Sequence, residues 1–218
     1  ILFNIDIEGS INKDKTAVLR VFAKMFYTHL GFFGENLKVA MLEQYIDQLG
    51  KTEEFRRAFE AKKGKPWTEQ RRAFAFNGKF IVPTLMEVLD MSEEDAKRWF
   101  NDKTAVEFSI AQLVEDIKNY VNKQPDSFRL LFMIDEVGQY VGTDTDMLLN
   151  LQSLTEKIGS ECGGKVWVMC TGQEAIDEII KVRADEFSRI QARFKTRLSL
   201  SSSSVDEVIQ KRILKKKP

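Results

Sequence analysis

Leu130-Leu131-Phe132-Met133-Ile134-Asp135-Glu136 is the most informative run in the 218 residues. An unbroken apolar run of this length reads as a strand buried on both faces, the habit of a parallel sheet. The two acids stand where such a strand stops and the sheet meets solvent. An apolar strand closed by Asp-Glu is the Walker B pattern. The aspartate can hold the water shell of Mg²⁺. The glutamate can orient and activate a water against a γ-phosphate. The plainer alternative is a strand that ends in acidic turn residues.

Outward from this run, Val166 to Cys170 (VWVMC) reads as a second buried strand, followed by Thr171-Gly172-Gln173-Glu174. If the two strands are neighbours, Thr171 falls beside the Walker B carboxylates. That is the sensor position of an AAA+-type ATPase, where a hydroxyl or amide holds the attacking water or the γ-phosphate. Between the strands, residues 145–158 read as a helix with Met147, Leu148, Leu151, Leu154 and Ile158 on one side. Residues 105–121 predict another, closed by Pro125. The chain opens on ILFNIDI, a β-rich run over residues 1–7 with polar Asn4 and Asp6 near its end. From Asp14 onward Val18, Val21, Phe22, Met25, Phe26 and Leu30 recur at helical spacing, and Gly31 and Gly34 bracket the end. Helices between buried apolar strands predict an α/β fold, a parallel sheet with helices on both faces.

Residues 35–101 predict an all-helical insertion. Met41, Leu42, Tyr45, Ile46 and Leu49 form one stripe, Phe55 and Phe59 a second, and Ile81, Leu85, Val88 and Leu89 a third. Ser92 with Asp95 is a capping signature ahead of Ala96, Trp99 and Phe100. Beyond the second strand, residues 174–182 and 185–196 read as helices, 198–200 as a short strand, and 201–204 as a polar hinge that caps 205–214. Arg189, Arg193 and Arg197 recur every four residues, hence on one helix face. One of them is a candidate arginine finger; the alternative is pairing with nearby acids such as Asp185 or Glu186, or with solvent.

Composition narrows the function classes. Lys plus Arg is 33 and Asp plus Glu is 33, so the net charge of +0 disfavours a globally basic nucleic-acid binder. Two cysteines, Cys162 and Cys170, lack metal-ligand spacing and form no disulfide framework. The one histidine, His29, leaves no material for a Ser-His-Asp apparatus and reads as structural. No apolar run reaches the roughly 20 residues of a membrane span. The start at Ile1, within an apolar run, is expected of a piece of a longer cytoplasmic protein.

A G-x-x-x-x-G-K match runs from Gly159 to Lys165. A phosphate loop leaves a strand and enters a helix, so that free N–H groups face the anion. Here the order is reversed, and Val166 follows without a hydroxyl for Mg²⁺. A glycine helix cap and a turn is the reading adopted.

Taken together, LFNID (2–6), DK-x₅-VF-x-K-x-F (14–26), LFM-I-DEVGQY-x-G (131–142), C-GGK-x-WV (162–168), S-x-IQ-x-RF-x-TRL-x-LSSS (188–203) and EVIQKR (207–212) resemble the large P-loop ATPase of BREX (bacteriophage exclusion) systems, the BrxC/PglY type. The resemblance covers essentially the whole chain. It implies a long bacterial protein with an N-terminal AAA+-like ATPase module, acting with other BREX proteins in defence against phage. The implied fold is a three-layer P-loop NTPase core, cut before the Walker A strand and carrying the helical insertion. Residues 1–34 and 102–200 would form the core, 35–101 the insertion, and 201–218 a hinge and the start of a lid helix. The implied cofactors are ATP and Mg²⁺. Asp135 and Glu136 match the Walker B pair, Thr171 the sensor, and Arg193 and Arg197 the arginine-bearing stretch; the Walker A loop has no counterpart. Homo-oligomerisation is possible on this reading, and DNA contact would be indirect. The rival reading is a non-catalytic scaffold or regulatory module for BREX partners or DNA.

Overall fold

The computed structural model describes residues 1–9, 14, 16–102, 108–141 and 144–171. They form a mostly helical α/β structure around a small parallel sheet. Three strands, β1 (Leu2–Asn4), β2 (Leu130–Asp135) and β3 (Val166–Cys170), lie in the order β1-β2-β3. Leu2, Phe3 and Asn4 pair with Met133, Ile134 and Asp135, and Leu130 through Ile134 pair with Val166 through Cys170.

The first strand is shorter than its apolar run predicts. Asn4 Oδ1 accepts from the N–H groups of Asp6 (3.0 Å) and Ile7 (3.1 Å) and opens a short helix, α1 (Ile5–Glu8). A side chain that satisfies its neighbours' backbone competes with the sheet ladder, and here it ends the strand.

Helix α2 (Ala17–His29) lies on the sheet. The Phe22 ring packs 5.8 Å from that of Phe3 and 5.4 Å from that of Phe132. Val18, Val21, Phe22 and Phe26 are buried, as their spacing predicts. Gly34 follows because the chain passes so close to α2 that a Cβ would stand 2.2 Å from the Lys24 carbonyl oxygen.

Residues 35–101 are helical, as predicted: α3 (Leu37–Gln48), α4 (Thr52–Lys63), α5 (Trp67–Gln70), a 3-10 stretch (Arg71–Phe76), α6 (Gly78–Leu89) and α7 (Glu93–Asn101). They enclose a second core around Phe55, Phe59, Trp67, Ile81 and Leu85. The α3 stripe is corrected. Val39, Leu42 and Ile46 enter this core, Ala40 and Met41 face the sheet-side core, and Tyr45 and Leu49 are exposed. A helix wedged between two cores buries two narrow stripes rather than one broad one. Two side chains tie the unit together. Glu43 accepts from Trp67 Nε1 (2.7 Å), Arg71 Nη1 (3.2 Å) and the Phe33 N–H (2.6 Å). Lys38 Nζ donates to the carbonyls of Trp99 (2.7 Å), Phe100 (3.1 Å) and Asp102 (2.6 Å), where α7 leaves acceptors unpaired.

Helix α8 (Ile110–Asn122) starts later than residue 105, because the Ser109 side chain caps it by accepting from the Gln112 N–H; residues 103–107 lie outside the described set. After β2 come α9 (Val137–Val141) and α10 (Thr145–Glu161). Gly159 lies inside α10 and is not its cap; the turn into β3 uses Gly163 and Gly164, both at positive φ. Helix still precedes strand there, so the Gly159–Lys165 match is no phosphate loop.

The expectation of strands buried on both faces is also corrected. Leu130, Phe132 and Ile134 are fully buried, but Leu131 and Met133 are only half-buried, and Trp167 and Met169 are 62% and 43% exposed. The strand order explains this. Both crossovers advance in one direction, and right-handed crossovers then place α2, α8 and α10 on the same face. Among the described residues these helices cover one face of the sheet, and α10 packs on both α2 and α8.

Candidate functional site

The carboxyl ends of β1, β2 and β3 bring Asn4, Asp135 and Thr171 to one edge. The ladder between β2 and β3 continues one step past the strands. Thr171 N–H donates to the Ile134 carbonyl (2.8 Å), and Val137 N–H donates to the Thr171 carbonyl (3.2 Å). This registration brings two predicted site residues together: the Thr171 hydroxyl donates to Asp135 Oδ1. The Glu136 N–H donates to the same oxygen at 3.1 Å.

Glu136 follows with φ at 61°, in the left-handed region. For a residue with a Cβ this costs about 1–2 kcal/mol. Its carbonyl accepts from the Tyr140 N–H (3.1 Å) and begins α9. A strand that turns into a helix through one left-handed residue makes a sharp corner. Strained backbone of this kind concentrates at functional sites.

Among the described residues no three or more His, Cys, Asp and Glu converge as a metal site. An Mg²⁺ ion here would be held by Asp135 through water, with phosphate oxygens completing its shell, the usual habit of that ion. Arg189, Arg193 and Arg197 lie outside the described residues, as do Gly172 to Glu174 and residues 198–200.

Gly9 to Thr16 reads G-S-I-N-K-D-K-T, a near match to G-x-x-x-x-G-K-[ST] with Asp14 at the second glycine, and it follows α1 rather than leaving β1 directly. Asp14 Oδ1 accepts from the Thr16 N–H (2.8 Å) and hydroxyl (2.7 Å), and Oδ2 pairs with Arg20 (2.9 Å). In a phosphate loop the N–H at this position faces phosphate and the hydroxyl faces Mg²⁺. A carboxylate already holds them and would repel a second anion.

The remaining candidates for chemistry are structural. His29 Nε2 lies 3.3 Å from the Tyr120 hydroxyl, and desolvation lowers its pKa. Burial pushes the Cys162 thiol up to about 11 and Cys170 up to about 12, so neither is a thiolate at neutral pH.

No protein-family model matches this chain, and no solved structure matches it significantly. No helix of the described residues is long and apolar enough to cross a membrane.

Proposed function

We propose that this chain carries the hydrolytic half of an AAA+-like P-loop ATPase of the BREX type, with Asp135 on Mg²⁺, Glu136 on the attacking water and Thr171 as sensor. The observation that carries this reading is the corner at the edge of β2 and β3. There the Thr171 hydroxyl meets Asp135, and Glu136 takes the left-handed conformation. Adjacent parallel strands of unequal roles, one ending in Asp-Glu and the other in a hydroxyl, suit a water held between γ-phosphate and carboxylate. The 218 residues hold no G-x-x-x-x-G-K-[ST] between a strand and a helix, so on this reading the phosphate-binding loop is supplied by other polypeptide. On this reading Arg193 or Arg197 serves a neighbouring subunit's nucleotide in a homo-oligomer, and the protein works in the cytoplasm with other BREX proteins.

The test is ATP turnover by the full-length protein. Glu136→Gln is expected to abolish turnover while retaining ATP binding, because glutamine keeps the shape and loses the base. Asp135→Ala is expected to weaken Mg²⁺-dependent binding. Turnover by Glu136→Gln at the wild-type rate sinks the assignment.

A second reading, a scaffold for BREX partners or DNA, draws support from the helical unit. It has a core of its own and leaves Phe76, Tyr45 and Leu49 exposed. Full-length protein that binds its partners equally well with Glu136→Gln and never turns over ATP would favour it.

A further inference from the structure

We infer that Tyr140 is a positioning residue for Glu136, and that the connection leaving β1 sets it through contact with Gly9. This inference rests on the Walker B reading of Asp135-Glu136.

The geometry has three parts. Glu136 is held at a left-handed corner, and its carbonyl is bonded to the Tyr140 N–H in the first turn of α9. The direction of α9 therefore fixes the direction of the corner. The Tyr140 ring is buried, with 1% of its surface exposed, and it reaches back from α9 to the end of α1. At Gly9 a Cβ would lie 2.4 Å from Tyr140 Cε2, 2.6 Å from Oη and 2.7 Å from Cζ. Gly9 has φ −74° and ψ 160°, a conformation open to any residue. The glycine is thus required by the tyrosine ring and not by the backbone.

Gly9 is also part of an anchored segment. Lys24 Nζ bonds Glu8 Oε2 (2.8 Å) and the Glu8 carbonyl (3.4 Å) on one side and Glu35 Oε1 (3.0 Å) on the other. Ile5, earlier in α1, is completely buried. The ring rests against a turn tied both to α2 and to the head of the helical unit. Any displacement of that turn pushes the ring, and the ring carries α9 and the Glu136 corner with it. The carboxylate proposed to activate water is then oriented from a segment more than a hundred residues earlier in the chain.

Gly9→Ala is the clean probe, because it adds one methyl without backbone strain. In the full-length protein it is expected to lower kcat about 10- to 100-fold, the effect of moving a catalytic group by about 1 Å, with nucleotide affinity unchanged. In the Tyr140→Leu background, where the clashing atoms are gone, Gly9→Ala is expected to become silent. Tyr140→Leu alone is expected to lower kcat without changing affinity. A wild-type kcat for Gly9→Ala, or an equal loss in both backgrounds, overturns the inference. If Gly9→Ala does not fold, Tyr140→Leu decides: a wild-type kcat in that variant overturns it. Glu136→Gln run alongside separates the two levels. Retained turnover there defeats the Walker B reading itself. Abolished turnover there, with Gly9→Ala silent from the start, defeats only the positioning role.

Discussion

Glu136 and Asp116 show two ways a single acid is held. At Glu136 the backbone is strained into the left-handed region. Asp116 is buried instead, and accepts from the Tyr27 hydroxyl (2.6 Å) and from Gln112 Nε2 (3.2 Å). Burial first, and the Asp116 hydrogen bond second, raise the Tyr27 pKa above its ordinary 10.0. The sign follows from linkage: the folded state holds the phenol proton more tightly than the unfolded state does. Tyr27 therefore contributes fully below pH 10 and its contribution declines as pH rises beyond that value. Tyr27→Phe is expected to lower stability by about 1–3 kcal/mol at neutral pH, the cost of leaving a buried acceptor short of its donor. It should also flatten the loss of stability above pH 10; urea titrations of both proteins at several pH values check both effects.

At the scale of elements, caps rather than hydrophobicity set the boundaries. Asn4 stops β1 inside a run that would otherwise continue as strand, and Ser109 delays α8. The box at α7 is the cleanest case. The Ser92 side chain accepts from the Asp95 N–H (3.1 Å) and its hydroxyl donates to Asp95 Oδ2 (2.7 Å). Ser92→Ala is expected to cost about 1 kcal/mol, read as a lower urea midpoint with an unchanged slope. Helix α3 shows the opposite influence. No cap or propensity splits its apolar residues between two cores; only its position between the sheet side and the helical unit does so.

For the molecule as a whole, the different burial of its tryptophans has measurable consequences. Trp67 is buried among Phe55 and Phe59, with ring centroids 5.2 and 5.0 Å away, whereas Trp167 is exposed. Trp167→Glu is expected to change the stability of the 218-residue chain by about 0.5 kcal/mol or less. Trp67→Ala should cost about 3–5 kcal/mol. Equal losses in a denaturant titration would contradict this difference in burial. The same chain is expected not to bind Mg-ATP tightly, since its sequence holds no G-x-x-x-x-G-K-[ST] between a strand and a helix. Calorimetry with a clear saturable isotherm would show otherwise.

What the sequence determined by itself was whatever depends on near neighbours along the chain. The strands at 130–134 and 166–170, the helices of 35–101, the α7 cap and the Asp-Glu at a strand end are all short-range patterns of period or capping. The parallel pairing of the three runs was also legible, because a right-handed crossover leaves few alternatives. Tertiary structure alone decided which side of each element met a neighbour. Leu131 and Trp167 are as apolar as Phe132 and Val168, yet among the described residues only the last two pack in the core beneath the helices. Tyr140 and Gly9 are far apart in the chain, and no local pattern pairs them; their contact exists only because α9 and α1 meet. Local spacing records the period of a helix or strand. Burial and contact depend on the other elements that pack there, and those come from distant parts of the chain.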